Sequence, residues 1–275
     1  MIATREVMVS TNNISLPQIS LRGVPLHAIT ESQCVSHIIE QLQQRRGGWV
    51  ITPNLDILRQ LVRDEQLAHL CSGASVVVAD GMPLVWASRI LGTPLPERVA
   101  GSNLISSLSS AAAQEGRSIY LMGGAEGSAE AAAEVLTQRD PKLRIAGTCC
   151  PQMGFEQDPQ TLSQLADNVA ASKADIIYVA LGCPKQERVI VEMRDALPHS
   201  WWLGVGISFS FLCGDVRRAP RWIQRIGMEW AHRLWQEPAR LAKRYLVDDV
   251  PFAISLLGAA AWQRATGSVR PLQRP

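Results

Sequence analysis

The stretch Val76-Val77-Val78-Ala79-Asp80-Gly81 restricts the fold more than any other part of the chain. Three β-branched residues, then an acid, a glycine and an amphipathic run, read as a strand of a parallel sheet, buried on both faces, that delivers a carboxylate to its carboxyl edge. Open α/β sheets bind ligands at that edge. The plainer reading is that Asp80 caps the helix that follows.

The pattern on either side agrees with a parallel sheet. From Trp49 onward strands at Trp49–Thr52, Val76–Ala79, Ser118–Met122, Leu143–Thr148, Asp175–Leu181 and Trp201–Gly206 alternate with helical stretches. These helices begin at Asn54 and Met82, then cover about 103–115, Ser128–Gln138 and Pro159–Ala171. Strict alternation predicts an α/β fold with a doubly wound, mostly parallel sheet. Upstream, Ile19–Val24 reads as a short strand and Glu31–Gln43 as a helix with Thr30 as its N-cap, so that the chain enters the fold through a hairpin or a helix. The polar residues 1–17 read as a flexible tail, 18–213 as the core, 214–265 as a helical appendage and 266–275 as a frayed end.

Composition narrows the function classes. With 47% hydrophobic and 19% charged residues in 275, the chain reads as an ordinary soluble globular protein. Its formal charge of +2 exerts no global pull on nucleic acid, which is not expected as a partner. Six cysteines, two of them the adjacent Cys149 and Cys150, have no paired metal spacing and suit reducing cytoplasm better than a disulfide framework. His69, His199 and His232 lack ligand partners at helical spacing, so no metal is expected. No signal peptide is expected, and the apolar run Val250–Trp262, about a dozen residues with Pro251 and Gly258, reads as too short to cross a bilayer.

Several strand ends carry residues that a purely structural sheet would not need. Thr52-Pro53-Asn54 follows the first main strand, and Gly123-Gly124-Ala125-Glu126-Gly127 forms a glycine-rich turn before a helix, where backbone N–H groups can meet a diphosphate. That turn equally suits small residues packed for a tight bend, and no P-loop is present. In Gly182-Cys183-Pro184-Lys185-Gln186-Glu187 a lysine in the first helical turn opposes the helix dipole, while Gln186 can both donate to and accept from a sugar or a uracil edge. Glu187 as a cap stays open, and Cys183 reads as structural.

The region 216–246 is basic and aromatic. Arg217, Arg218, Arg221, Arg225, Arg233, Arg240, Lys243 and Arg244 outnumber Glu229 and Glu237 and interleave with Trp222, Trp230, Trp235 and Tyr245. Such a helical surface fits anionic lipid headgroups, and the adjoining apolar run favours lipid over nucleic acid.

Taken in order, Thr52-Pro53-Asn54, Asp80-Gly81, Glu97-Arg98-Val99-Ala100-Gly101, Leu121-Met122-Gly123-Gly124, Gly182 to Glu187, Arg218-Ala219-Pro220, Glu229-Trp230 and Glu237-Pro238 resemble the WecG/TagA/CpsF glycosyltransferases, glycosyltransferase family 26. The resemblance runs from about residue 20 to 246. It implies a Rossmann-like core with a basic, Trp-rich helical C-terminal appendage, and an inverting, metal-independent transfer without cofactor. The sugar comes from a UDP-sugar and goes to an undecaprenyl-diphosphate-linked saccharide, for a cell-surface polysaccharide, exopolysaccharide or teichoic acid. The donated sugar would be a hexose, an N-acetylhexosamine or its uronic acid. By the same resemblance Asp80 is the base, Thr52, Asn54, Arg98 and Gln186 are pocket residues, and the appendage binds the inner leaflet of the cytoplasmic membrane and closes over the site. The enzyme would then be cytoplasmic and peripherally membrane-associated, with homo-oligomerisation left open. Many relatives carry aspartate where this chain has Ser210, a departure that leaves one polar pocket contact open. Gly123, Gly124, Arg218, Arg221 and Arg225 are the candidates for meeting the diphosphate. A non-catalytic, membrane-peripheral nucleotide-binding scaffold is the alternative function.

Overall fold

The computed structural model describes residues 16–267, except the side chains of Arg221 and Arg225. The expected loose ends therefore fall outside the described residues but for 16, 17, 266 and 267. The entry segment is a hairpin followed by a helix: strands β1 (Gln18–Leu21) and β2 (Val24–His27) pair antiparallel across the stretch read as a single short strand. The chain reverses at Arg22 and Gly23, both at positive φ (54° and 87°), a turn that is inconspicuous in sequence because only one of its residues is glycine. Thr30 then caps the helix Glu31–Gln43 in a reciprocal capping box with Gln33.

The main sheet comprises β3 (Gly48–Ile51), β4 (Val76–Val77), β5 (Ser118–Gly123), β6 (Arg144–Cys149), β7 (Ile176–Ala180) and β8 (Trp201–Gly204). Their order is β4-β3-β8-β7-β5-β6, and every pairing is parallel. After β4 the chain crosses to the other half of the sheet, and β8 and β7 later fill the gap between β3 and β5. That reversal opens a crevice at the carboxyl ends of β3, β4, β7 and β8. The central strands are buried on both faces: Trp201 packs into the core layer around Ile38, Leu104 and Leu121, while Trp202 points the other way, among Trp49, Ile177 and Ile190.

A third core layer joins the ends of the chain. Ile19, Leu21 and Leu26 of the hairpin and Leu84, Ala87 and Leu91 of the helix Met82–Leu91 pack with Phe252, Leu256 and Ala260 of the helix Val250–Ala265. The appendage thus covers apolar surface of the core rather than resting outside it. Helical structure also runs unbroken from Pro238 to Ala265, through a π-helical stretch at Lys243–Asp249, for 28 residues. By length and composition alone this run is long enough to cross a membrane, unlike the apolar stretch visible in sequence, which stops at Asp249. Its Phe252, Leu256 and Ala260 ridge is nevertheless buried against the protein.

Candidate active site

A cleft of about 630 Å³ lies in the crevice, lined by Thr52, Asn54, Asp80, Arg98, Gly124 and Gln186 from the core and by Glu229, Arg233, Arg240 and Arg244 from the appendage. Asn54 is fixed by its own helix: its side chain accepts from Ile57 N–H at 3.0 Å as the N-cap of Leu55–Arg63. Thr52 sits against Gly101, where an added Cβ would lie 3.0 Å from the Thr52 hydroxyl.

Asp80 does not cap the helix that follows it. Gly81 is that helix's N-cap, without a side-chain bond, and Asp80 Oδ2 instead accepts from Gly101 N–H at 3.3 Å, at the start of the helix Gly101–Gln114. Burial pushes the Asp80 carboxyl up to about 6; Arg98 opposes that rise, Glu229 adds to it, and the Gly101 N–H and Arg218 again oppose it. Arg98 is held by Glu229 at 2.7 Å, and Arg218 reaches the same carboxylate at 3.4 Å. A glutamate 131 residues from Arg98 in sequence thus sets the charge beside Asp80.

Three other expected contacts are arranged differently. Gln186 is 4% exposed; its Nε2 donates to Glu187 at 2.9 Å and its Oε1 accepts from Gly206 N–H at 3.2 Å. Its amide therefore holds the turn after β8, and the close fit to Gly204, where a Cβ would sit 2.4 Å from Nε2, shows why that position is glycine. The N-cap Pro184 makes no side-chain bond, the Glu187 carboxyl accepts from its own backbone N–H in the first helical turn, and Lys185 turns out of the cleft to Glu156 at 2.6 Å and the Phe155 ring. In the glycine-rich turn, Gly124 lines the cleft and Gly123 does not; the Gly124 N–H already donates to Ala180 O at 2.8 Å. The Cys183 thiol is pushed up by burial and by Glu187, which keeps it protonated.

The appendage supplies a different set of arginines from those singled out in sequence. Arg233, Arg240 and Arg244 line the cleft, whereas Arg218 does not and is engaged with Glu229. Arg221 and Arg225 lie on the short helix Arg221–Arg225, and their side chains are outside the described residues. Arg244 also bonds Asp56 at 2.9 Å, and Arg59 reaches Asp249 at 3.4 Å, which ties the C-terminal helix to Leu55–Arg63. Burial, then the neighbouring Asp56, push Asp249 up to about 6. The spacing 233, 240, 244 is helical and was available as a signal, but Glu237-Pro238 interrupts it. Trp230 lines the cleft edge-on to Tyr245, 6.2 Å between centroids, while Trp222 and Trp235 are 64% and 87% exposed. Ser210 lines the cleft where the resemblance leads one to expect aspartate.

A model of the Glycosyl transferase WecG/TagA/CpsF family matches residues 19–266. The chain belongs to this family. A curated relative from Bacillus spizizenii, an N-acetylglucosaminyldiphosphoundecaprenol N-acetyl-beta-D-mannosaminyltransferase, is 31% identical over 242 residues, 87% of this chain and 92% of the relative. Within the WecG/TagA/CpsF glycosyltransferase described here, the match spans both the sheet edge and the segment bearing Glu229 and the cleft arginines.

Proposed function

We propose that this glycosyltransferase moves an N-acetylhexosamine, with inversion, from a UDP-sugar to an undecaprenyl-diphosphate-linked N-acetylglucosamine. The observation that carries the reading is the half-buried Asp80 carboxyl, raised to about 6, in a cleft also lined by Arg98, Arg233, Arg240 and Arg244. Above pH 6 Asp80 is ionised and a stronger base than an exposed aspartate, suited to accept the proton of the acceptor hydroxyl as that oxygen attacks the anomeric carbon. Inversion follows if attack comes from the face opposite the departing UDP. Charge grows on the leaving diphosphate, and guanidinium groups are suited to neutralise it. Arg98, already paired with Glu229, is the nearest of these to Asp80 in effect; the cleft-lining arginines of the appendage serve the diphosphates.

In this reading residues 18–213 form the catalytic core and 214–265 an appendage that completes the cleft and rests peripherally on the cytoplasmic membrane surface through exposed groups such as Trp222 and Trp235. The test is a panel of UDP-sugars, UDP-N-acetylmannosamine first, offered with a polyprenyl-diphosphate N-acetylglucosamine, with release of UDP and the product anomer measured. Transfer from one donor with inversion is expected. Nucleotide binding without transfer from any donor would leave the scaffold reading in its place.

A further inference from the structure

The cleft does not end at its polar residues. The same cavity is lined by Met82, Pro83 and Trp86 on one side and by Val250 and Ala253 on the other. These belong to the helices Met82–Leu91 and Val250–Ala265, which start beside each other at the cleft and end beside each other, since Gly92 lies against the Arg264 guanidinium. The two helices therefore run side by side in the same direction, away from Asp80.

Each carries an apolar stripe outward from the cleft. Met82, Trp86 and Ile90 recur every fourth residue, and Val250 and Ile254 do the same on the second helix. Trp86 is 36%, Ile90 40%, Val250 37% and Ile254 68% exposed, although the neighbouring ridges Leu84, Leu91, Phe252 and Leu256 are buried. At the near end the turn at Gly227 packs on Met82 and Trp86, and Ile226 and Met228 beside it are exposed as well. An apolar track of about 12 Å, from residue 82 to 90 at 1.5 Å per residue, thus leads from a basic cleft to the surface.

We propose that this track is the subsite for the polyprenyl chain of the acceptor, holding its first isoprene units against Trp86, Ile90, Val250 and Ile254. The inference rests on the acceptor reading above. A sugar hydroxyl, a diphosphate and a hydrocarbon chain occur in that order in such an acceptor, and the cavity joins a carboxylate, arginines and an apolar wall. Exposed apolar side chains continuous with a cleft mark a ligand more often than they mark bare surface.

A photoreactive farnesyl diphosphate analogue tests the track without requiring turnover. The wild-type chain is expected to be labelled within 82–91 and 250–265, and the double variant Ile90→Glu/Ile254→Glu to lose that label. For the variant, the ratio of kcat/KM for a long-chain acceptor to that for a one-isoprene acceptor should fall about tenfold, the loss expected on removing one or two apolar contacts. Labelling elsewhere, or an unchanged ratio, overturns the proposal. An unchanged ratio with lost binding to phosphatidylglycerol vesicles would assign the face to the bilayer, and one with a smaller sedimenting species to a second copy of the chain. Failure of every polyprenyl diphosphate as acceptor would instead remove the parent reading, which the labelling pattern does not depend on.

Discussion

Replacing Asp80 by asparagine should stop catalysis and stabilise the fold, two effects with one cause. The carboxyl rises from 3.8 to about 6 because burial disfavours its charge, so the native state binds the proton more tightly than the unfolded chain does. Between pH 3.8 and 6 the native state holds more protons; stability therefore falls as pH rises through that window and stays lowered above it. At about 1.4 kcal/mol per tenfold change the penalty is about 3 kcal/mol, and because Asp80 is partly open to the cleft, screening reduces it to about 1–2 kcal/mol. Asparagine keeps the acceptor for Gly101 N–H and removes the charge. For a chain of this size Tm should rise by about 2–6 °C at pH 7.5, with the gain vanishing near pH 4. Turnover should drop about 10²-fold or more, with donor affinity near wild type. Scanning fluorimetry at both pH values and a UDP-release assay decide the matter. Activity within a few-fold of wild type would remove Asp80 as the base, and an unchanged or lower Tm at pH 7.5 would refute the burial argument.

Arg98 pulls the Asp80 carboxyl down and Glu229 pushes it up, so Arg98→Ala should move the acid limb of the kcat profile to higher pH and Glu229→Gln to lower pH; shifts in one direction would mean the pair acts only as a clamp. Among the described residues no three His, Cys, Asp or Glu side chains gather as metal ligands, and turnover should survive EDTA; a manganese-reversible loss would show that the arginines do not suffice for the diphosphate. Phe252→Ala should cost about 3–5 kcal/mol in denaturant unfolding, since it removes a buried ring shared by core and appendage; a cost below 1 kcal/mol would show that the appendage contributes little to the core. Trp222→Ala and Trp235→Ala should weaken binding to anionic vesicles and leave a soluble acceptor's turnover intact, whereas Trp230→Ala should lower turnover and spare vesicle binding; the reverse pattern would exchange their assignments.

The parallel sheet was legible because runs such as Val76-Val77-Val78-Ala79 and Ile176-Ile177-Tyr178-Val179-Ala180 are apolar on both faces, which little besides a covered parallel strand requires. The residues at the strand ends were legible for the same reason, as polar groups immediately after such runs. Strand order was not, because β8 inserts between β3 and β7 through contacts that no local pattern encodes. Nor was the role of Gln186, whose chemistry suits substrate but whose amide is engaged by Glu187 and Gly206. Trp230 and Trp235 look alike in sequence, yet one meets Tyr245 and the other solvent. The Arg98–Glu229 pair shows the general difficulty: each residue is ordinary, and only their meeting across the chain gives Asp80 its surroundings.

The shared layer of Leu84, Leu91, Phe252 and Leu256 has a consequence for how the protein is made. Every strand of the sheet has been synthesised by Gly204, yet the helix Met82–Leu91 keeps an uncovered apolar face until Ala260 has left the ribosome. At about 5–20 residues per second, the roughly 170 residues from Leu91 to Ala260 take on the order of ten seconds. For most of that interval the nascent chain also lacks Glu229 beside Arg98, so the charge balance at Asp80 and the cover of the sticky face both arrive late in translation.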